Sequence, residues 1–356
     1  MKDWVSLGSA GSRPSVRAAG RRQESSRGAG RQSRFLRRPA RPLPQAFVSW
    51  QHLVAQVPAL LVSPPARSQQ PPAPEAACER VLDAPGLSRD PLTSLMAWST
   101  NSLAVGLCCF AYCWRVGSGE VAAVYGGEDP VRALGWHSNG VCLAVSAALG
   151  EVALVDACKG VTARQVSMGL GGVNSLTFNR DLLCAADSEG ALTYLDIRMK
   201  RCVMRVDRAH QGSACRLDWN SDLTQLASGG ADGVVRVWEM RQYGCLRTLE
   251  AESCVRGLAW HPSRRGWLAY AGGQLRLTDL CGGEEQMLGA SSAGLGWSGD
   301  LLVGAVGREL REARGARRLA QLESTVLQLA VSDSGLVVTA SEDETLRFWQ
   351  VPICNQ

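Results

Sequence analysis

The side chains able to do chemistry are few. The four histidines are His52, His137, His210 and His261, and no HExxH helix, P-loop or GxGxxG turn accompanies them in a suitable context. Cys108, Cys109 and Cys113 form the tightest cysteine group, but no histidine is near and no CxxC pair exists, so they do not read as a metal site. One constellation remains: His210, Ser228, Asp232 and Trp238, in that order. Acid–base or metal chemistry would use such residues, and the elements that carry them decide whether it does.

Those elements repeat. From Glu79 onward an apolar triplet ends in a bulky residue at Trp98, Trp136, Phe178, Trp219, Trp260, Trp297 and Val331. Each marker is followed by a short apolar strand such as Leu103-Ala104-Val105-Gly106 or Leu226-Ala227-Ser228-Gly229, then a turn and a further strand. A period of about 40 residues with this strand–turn–strand content is that of a WD-repeat propeller blade. In such a repeat the order His210, Ser228, Asp232, Trp238 forms a buried hydrogen-bonded tetrad that pins a turn. The tetrad therefore reads as structural, and no enzyme activity, metal or cofactor is expected.

The fold class is all-β: a seven-bladed WD-repeat β-propeller over 79–353 with a disordered basic N-terminal arm over 1–78. Blade six looks degenerate, because Arg308, Arg311, Arg314, Arg317 and Arg318 stand where apolar third and fourth strands belong. The last blade runs out at Trp349-Gln350-Val351, so residues 79–85 are expected to supply its fourth strand and close the ring. Closure removes the free sheet edges that invite aggregation.

Charge divides the chain in the same place. Residues 1–74 hold 12 Lys and Arg against Asp3 and Glu24, leaving 26 basic and 31 acidic residues beyond. A basic tail on a mildly acidic body attracts acidic protein surfaces, nucleic acid or anionic lipid alike. The tryptophans of the body recur as core positions, which argues against a nucleic-acid stacking surface. No run of 18 apolar residues is present, so no membrane span is expected. The Arg- and Ser-rich start has the composition of a mitochondrial transit peptide, but Gly and Pro interrupt any amphipathic helix. The scattered, odd-numbered cysteines, several at strand positions suited to Ala or Val, fit a reducing nuclear and cytoplasmic environment.

The lead-in Arg80-Val81-Leu82-Asp83-Ala84-Pro85-Gly86-Leu87, with Trp98-Ser99 and Tyr112-Cys113-Trp114 after it, resembles the start of the fizzy and fizzy-related propellers. The run Ala340-Ser341-Glu342-Asp343-Glu344-Thr345-Leu346-Arg347-Phe348-Trp349 resembles that family's last blade. The resemblance implies a substrate-recruiting activator of the anaphase-promoting complex, a ubiquitin ligase. The implied partners are ligase subunits and degron-bearing proteins such as cyclins, with no nucleic acid, no membrane, and a monomer when free. It also implies a destruction-box site at the seam of blades one and seven, where Glu344, with Asp343 beside it, meets the degron's arginine.

Four departures accompany the resemblance. Ala97 stands where the family commonly has an acid, and Ala231 where it often has Asn. Arg34, Phe35 and Leu36 keep only part of the family's ligase-docking C-box, and the chain ends Ile353-Cys354-Asn355-Gln356 without the terminal Ile-Arg. These departures imply, as the alternative, a diverged WD-repeat interaction scaffold that no longer docks the ligase.

Overall fold

The computed structural model describes residues 76–351, apart from 148, 149, 169, 170, 200, 291, 292, 315 and 316. Arg34, Phe35 and Leu36 lie outside the described residues. Within them, seven antiparallel sheets of four strands follow one another along the chain. The marker triplets form the innermost strand of each sheet: Met96–Trp98, Ala133–Trp136, Val173–Asn179, Ala214–Trp219, Gly257–Trp260, Leu295–Ser298 and Val326–Val331. Each neighbours the next, and the last meets the first, so the blades close a ring. The innermost strands line a central cavity of about 280 Å³.

Blades pack face to face, and the apolar positions of the second and third strands fill the space between them. Between blades four and five, Ala227, Val235 and Val237 meet Val255, Leu258, Trp260, Leu268 and Tyr270 in one buried cluster. Burying each large side chain there contributes roughly 1.5–3 kcal/mol, against the entropy of ordering it. The recurrent tryptophans 114, 219, 238, 260, 297 and 349 are all buried. Cys113, Cys184 and Cys215 sit buried in strands as small apolar residues, whereas Cys78, Cys108, Cys158, Cys202, Cys245 and Cys281 are exposed.

Blade six corrects the expectation drawn from its arginines. It has all four strands: Leu295–Ser298, Leu301–Val306, Glu309–Glu312 and Arg318–Gln321. The last two are short, but Leu310, Leu319 and Ala320 are buried in one cluster, where a bulge at Leu319 lets two consecutive residues join it. Side chains alternate across a strand, so an arginine on the outer face leaves the inner face intact. Arg311 and Arg318 pair with Glu309 on that outer face.

The ring closes through the strand Ala77–Asp83, which pairs with Thr345–Gln350 in the order fourth, third, second, first strand of blade seven. Gln328 adds a polar rivet between the innermost strands of blades seven and one. Its Oε1 accepts from the Leu95 N–H at 2.9 Å, and its Nε2 donates to the Thr93 carbonyl at 3.0 Å.

Candidate protein-binding seam

In blade four, Trp238 Nε1 donates to Ser228 Oγ at 2.8 Å, and Ser228 Oγ lies 2.7 Å from His210 Nε2. His210 Nδ1 lies 3.0 Å from Asp232 Oδ1. The Asp232 carboxylate can only accept, so the proton of the neutral ring sits on Nδ1, and Nε2 accepts the serine proton. Asp232 also accepts from the Gln211 and Val234 N–H groups and from Arg236. Burial holds the His210 pKa below its usual range despite Asp232, so the ring is neutral near pH 7. His210 is 1% exposed, so no substrate reaches it. The tetrad is a turn lock.

The other described histidines have similar tasks. Nδ1 of His137 accepts from the Asn139 N–H, and Nδ1 of His261 from the Ser263 and Arg264 N–H groups. Their Nε2 atoms face Asp181 and Asp300 on the neighbouring blades.

Blade seven repeats the lock in reduced form. Trp349 Nε1 donates to Thr339 Oγ1 at 2.9 Å, across the same ten residues as Trp238 and Ser228. Asp343 takes the place of Asp232, accepting from Arg347 and from Thr345 Oγ1, each at 2.7 Å. Burial alone would raise the Asp343 carboxyl, but those hydrogen bonds outweigh it and hold it below the usual carboxylate range. The structure therefore engages Asp343 within its own turn.

Glu344 is different. It occupies the position of Gly233, the turn glycine of blade four at φ 73°, and adopts φ 59° itself. An L-residue with a long side chain is strained there, which in native structures often marks a functional site. Its carbonyl accepts from the Ala84 N–H, tying the turn to the closing strand. Its side chain is exposed and, among the described residues, has no hydrogen-bond or ion-pair partner.

The closing strand brings a second acid that sequence reasoning did not single out. Asp83 pairs with Thr345, the residue after Glu344, and is exposed. Its signal lay in the lead-in segment, but its partner became visible only through the ring closure. Behind these acids the seam is knit by aromatic contact. Trp114 of blade one lies 4.5 Å from Phe348 of blade seven, and the Arg80 guanidinium stacks 5.6 Å from the Trp114 ring.

Ala97 lies on the central cavity of blade one, with its carbonyl accepting from Trp136 Nε1. Its repeat counterpart in blade four is Asp218, whose Oδ2 accepts from the Trp260 N–H at 2.7 Å. Burial raises the Asp218 pKa to about 7. Ala231 lies in the turn beside Asp232 and contributes its N–H to the Ser213 carbonyl.

Residues 201–239, which contain the tetrad, match the family model described as "WD domain, G-beta repeat". Residues 110–181 match "Anaphase-promoting complex subunit 4 WD40 domain". The chain is 32% identical over 294 residues to WD repeat-containing protein srw1 of Schizosaccharomyces pombe, covering 76% of this chain and 53% of that protein. It is 30% identical to Meiotic fizzy-related protein 1 of the same organism, covering 76% and 70%. To Cell division cycle 20.5, cofactor of APC complex, of Arabidopsis thaliana it is 31% identical, covering 77% and 68%. The chain thus spans about half of the first relative and about two thirds of the others. A chain in the crystal structure of a mitotic checkpoint complex superposes with a TM-score of 0.74 at 28% identity, over 83% of this chain and 98% of that one.

Proposed function

Because the chain belongs to the fizzy and fizzy-related family of WD-repeat activators of the anaphase-promoting complex, we propose that it recruits substrates to that ligase. The seam of blades seven and one holds a destruction-box degron, and the N-terminal arm docks the ligase through Arg34, Phe35 and Leu36. Bond making and breaking stay with the ligase.

The observation that carries this reading is the unpartnered carboxylate of Glu344, held at a strained turn on the seam. With Asp83 on the adjoining strand it offers a degron arginine two carboxylates, and charge-assisted bonds to guanidinium are the strong ones. Asp83 thus takes up the role left open by Ala97. Asp343 is tied into its turn by Arg347 and supports the site without contacting the degron.

A destruction-box peptide titrated into the full chain tests this. Glu344→Arg is expected to weaken binding tenfold or more, since losing a charged partner costs about 1.5–3 kcal/mol. Binding that stays unchanged moves the site elsewhere. Cyclins are proposed substrates, and the free chain is proposed to be a monomer. The nucleus and cytoplasm, where exposed thiols persist, are its proposed location; a tagged chain confined to another compartment overturns that.

The partial C-box favours a second reading, a scaffold that binds degrons without docking the ligase. Recovery of ligase subunits by the wild-type chain, lost in Arg34→Ala/Phe35→Ala, supports docking. Recovery by neither chain supports the scaffold.

A further inference from the structure

Two cysteines meet across neighbouring blades. Cys215 lies in the innermost strand of blade four, and Cys254 in the loop between Gly244–Glu250 and the innermost strand of blade five, Gly257–Trp260. Both are free thiols, and their Sγ atoms are 3.9 Å apart. Cys215 is fully buried, with its Sγ 3.3 Å from the Ser213 carbonyl, whereas Cys254 is half-buried and reaches solvent.

The Cys254 loop is held in place. The Ser253 N–H donates to the Gly272 carbonyl, Val255 to Gly230 and Arg256 to Ala271. Beside the pair, the Arg216 guanidinium donates to the carbonyls of Pro91, Leu92, Cys215 and Arg256. The charged groups acting on Cys254 are Arg256, Arg216 and, with the opposite sign, Asp232.

We propose that Cys215 and Cys254 form a peroxide-responsive dithiol that closes a disulfide clasp between blades four and five. Cys254 is the attacking thiol because a dissolved oxidant can reach it, and Cys215 is the resolving thiol because it is buried against it. The Cys254 thiolate attacks one oxygen of hydrogen peroxide. The O–O bond breaks, leaving a Cys254 sulfenic acid and hydroxide. The Cys215 sulfur then displaces the sulfenic hydroxyl, and the proton that Cys215 releases leaves with it as water. Two thiols are oxidised by two electrons while one peroxide is reduced to two waters. The sulfurs must close to about 2.05 Å, a shift that the loop side can make more readily than the strand.

The acidities support these roles. The hydrogen bond from Cys215, aided by Arg256 and Arg216, lowers the Cys254 pKa to about 7 against the effect of burial. The same bond, together with burial, pushes the Cys215 pKa up. A low-pKa thiol poised beside a resolving thiol is the pattern of redox-sensitive pairs.

The test is peptide mapping of the full chain after a modest excess of hydrogen peroxide. A Cys215–Cys254 linked peptide is expected, lost on reduction and absent from Cys254→Ala. In Cys215→Ala the sulfenic acid has no resolving partner, so dimedone should label Cys254. The reduced wild-type chain tests the attacker without any variant. Iodoacetamide at pH 7 should alkylate Cys254 several-fold faster than exposed Cys245, because Cys215, Arg256 and Arg216 favour the Cys254 thiolate. No 215–254 peptide, or alkylation of Cys254 no faster than that of Cys245, overturns the proposal.

Discussion

Blade four and blade seven build the same turn and use it differently. In each, a tryptophan reaches back ten residues to a hydroxyl, Trp238 to Ser228 and Trp349 to Thr339, and an aspartate closes the turn. Blade four adds His210 and ends the turn in Gly233, so the polar groups of the lock are satisfied inside the blade. Blade seven, among the described residues, has no such histidine contact at Asp343, and it puts Glu344 where the glycine belongs. One blade devotes its polar atoms to stability; the other accepts backbone strain and presents a carboxylate.

The largest effect expected from this contrast is on stability. His210→Ala takes one buried partner each from Ser228 and Asp232 and opens a cavity in the network, which costs about 2–4 kcal/mol. Asp343→Ala in the exposed turn should cost under about 1 kcal/mol. Urea unfolding of the two variants measures the difference, and equal losses would mean that the turns are equivalent.

At Glu344 the contrast predicts that function and stability separate. Glu344→Gly removes the carboxylate and relieves the left-handed strain. Stability should hold or rise by up to about 1 kcal/mol, as less strain is offset by a more flexible unfolded chain. Affinity for a destruction-box peptide should fall tenfold or more. A variant that loses stability while keeping affinity would show Glu344 to be a structural residue.

How much of this was legible in the sequence depends on the range of the interaction. The marker triplets and the tetrad are local patterns within one repeat, and they appear in the structure as read. Asp343, six residues before its tryptophan as Asp232 is, carries the same local turn signal. In blade six the apolar signal is weak, because Leu310 stands alone between charged residues and Leu319 and Ala320 fall at a bulge that breaks the alternation. Gln328 carries no local signal, and Asp83 only that of the lead-in segment. Their partners are 233 and 235 residues away for Gln328, and across the closing strand for Asp83, so only the closed ring pairs them.

The inner strands differ as well, and pH exposes it. Asp218 of blade four has a folded pKa of about 7 against 3.8 for the ordinary group. Between those values the unfolded chain is ionised there while the folded chain keeps its proton. Stability is thus fully present below about pH 4 and is lost as pH rises towards 7. Asp218→Asn can still accept from the Trp260 N–H and should remove that fall. Asp218 keeps some exposed surface, which limits the variant's gain at pH 8 to roughly 1–2 kcal/mol. Blade one has Ala97 there, so Ala97→Asp should create a new acid-side slope. Superimposable pH–stability curves for wild type and Asp218→Asn would place the titration elsewhere.

The smallest effect concerns blade one, which keeps the tryptophan of the lock but not its hydroxyl. Register sets the equivalence: Ser228 lies two residues beyond Leu226, the partner of Trp238, and Val105 lies two beyond Leu103, the partner of Trp114. Trp114 Nε1 is buried and, among the described residues, has no acceptor. Val105→Thr keeps the branched shape and supplies the oxygen, as Thr339 does for Trp349. A new buried hydrogen bond should add about 0.5–1 kcal/mol after the hydroxyl's desolvation is counted. Unfolding measurements, with near-ultraviolet tryptophan signals as a second readout, distinguish the outcomes. A loss of about 1 kcal/mol or more would mean that the hydroxyl is buried unpaired, and that blade one has diverged beyond repair of the lock.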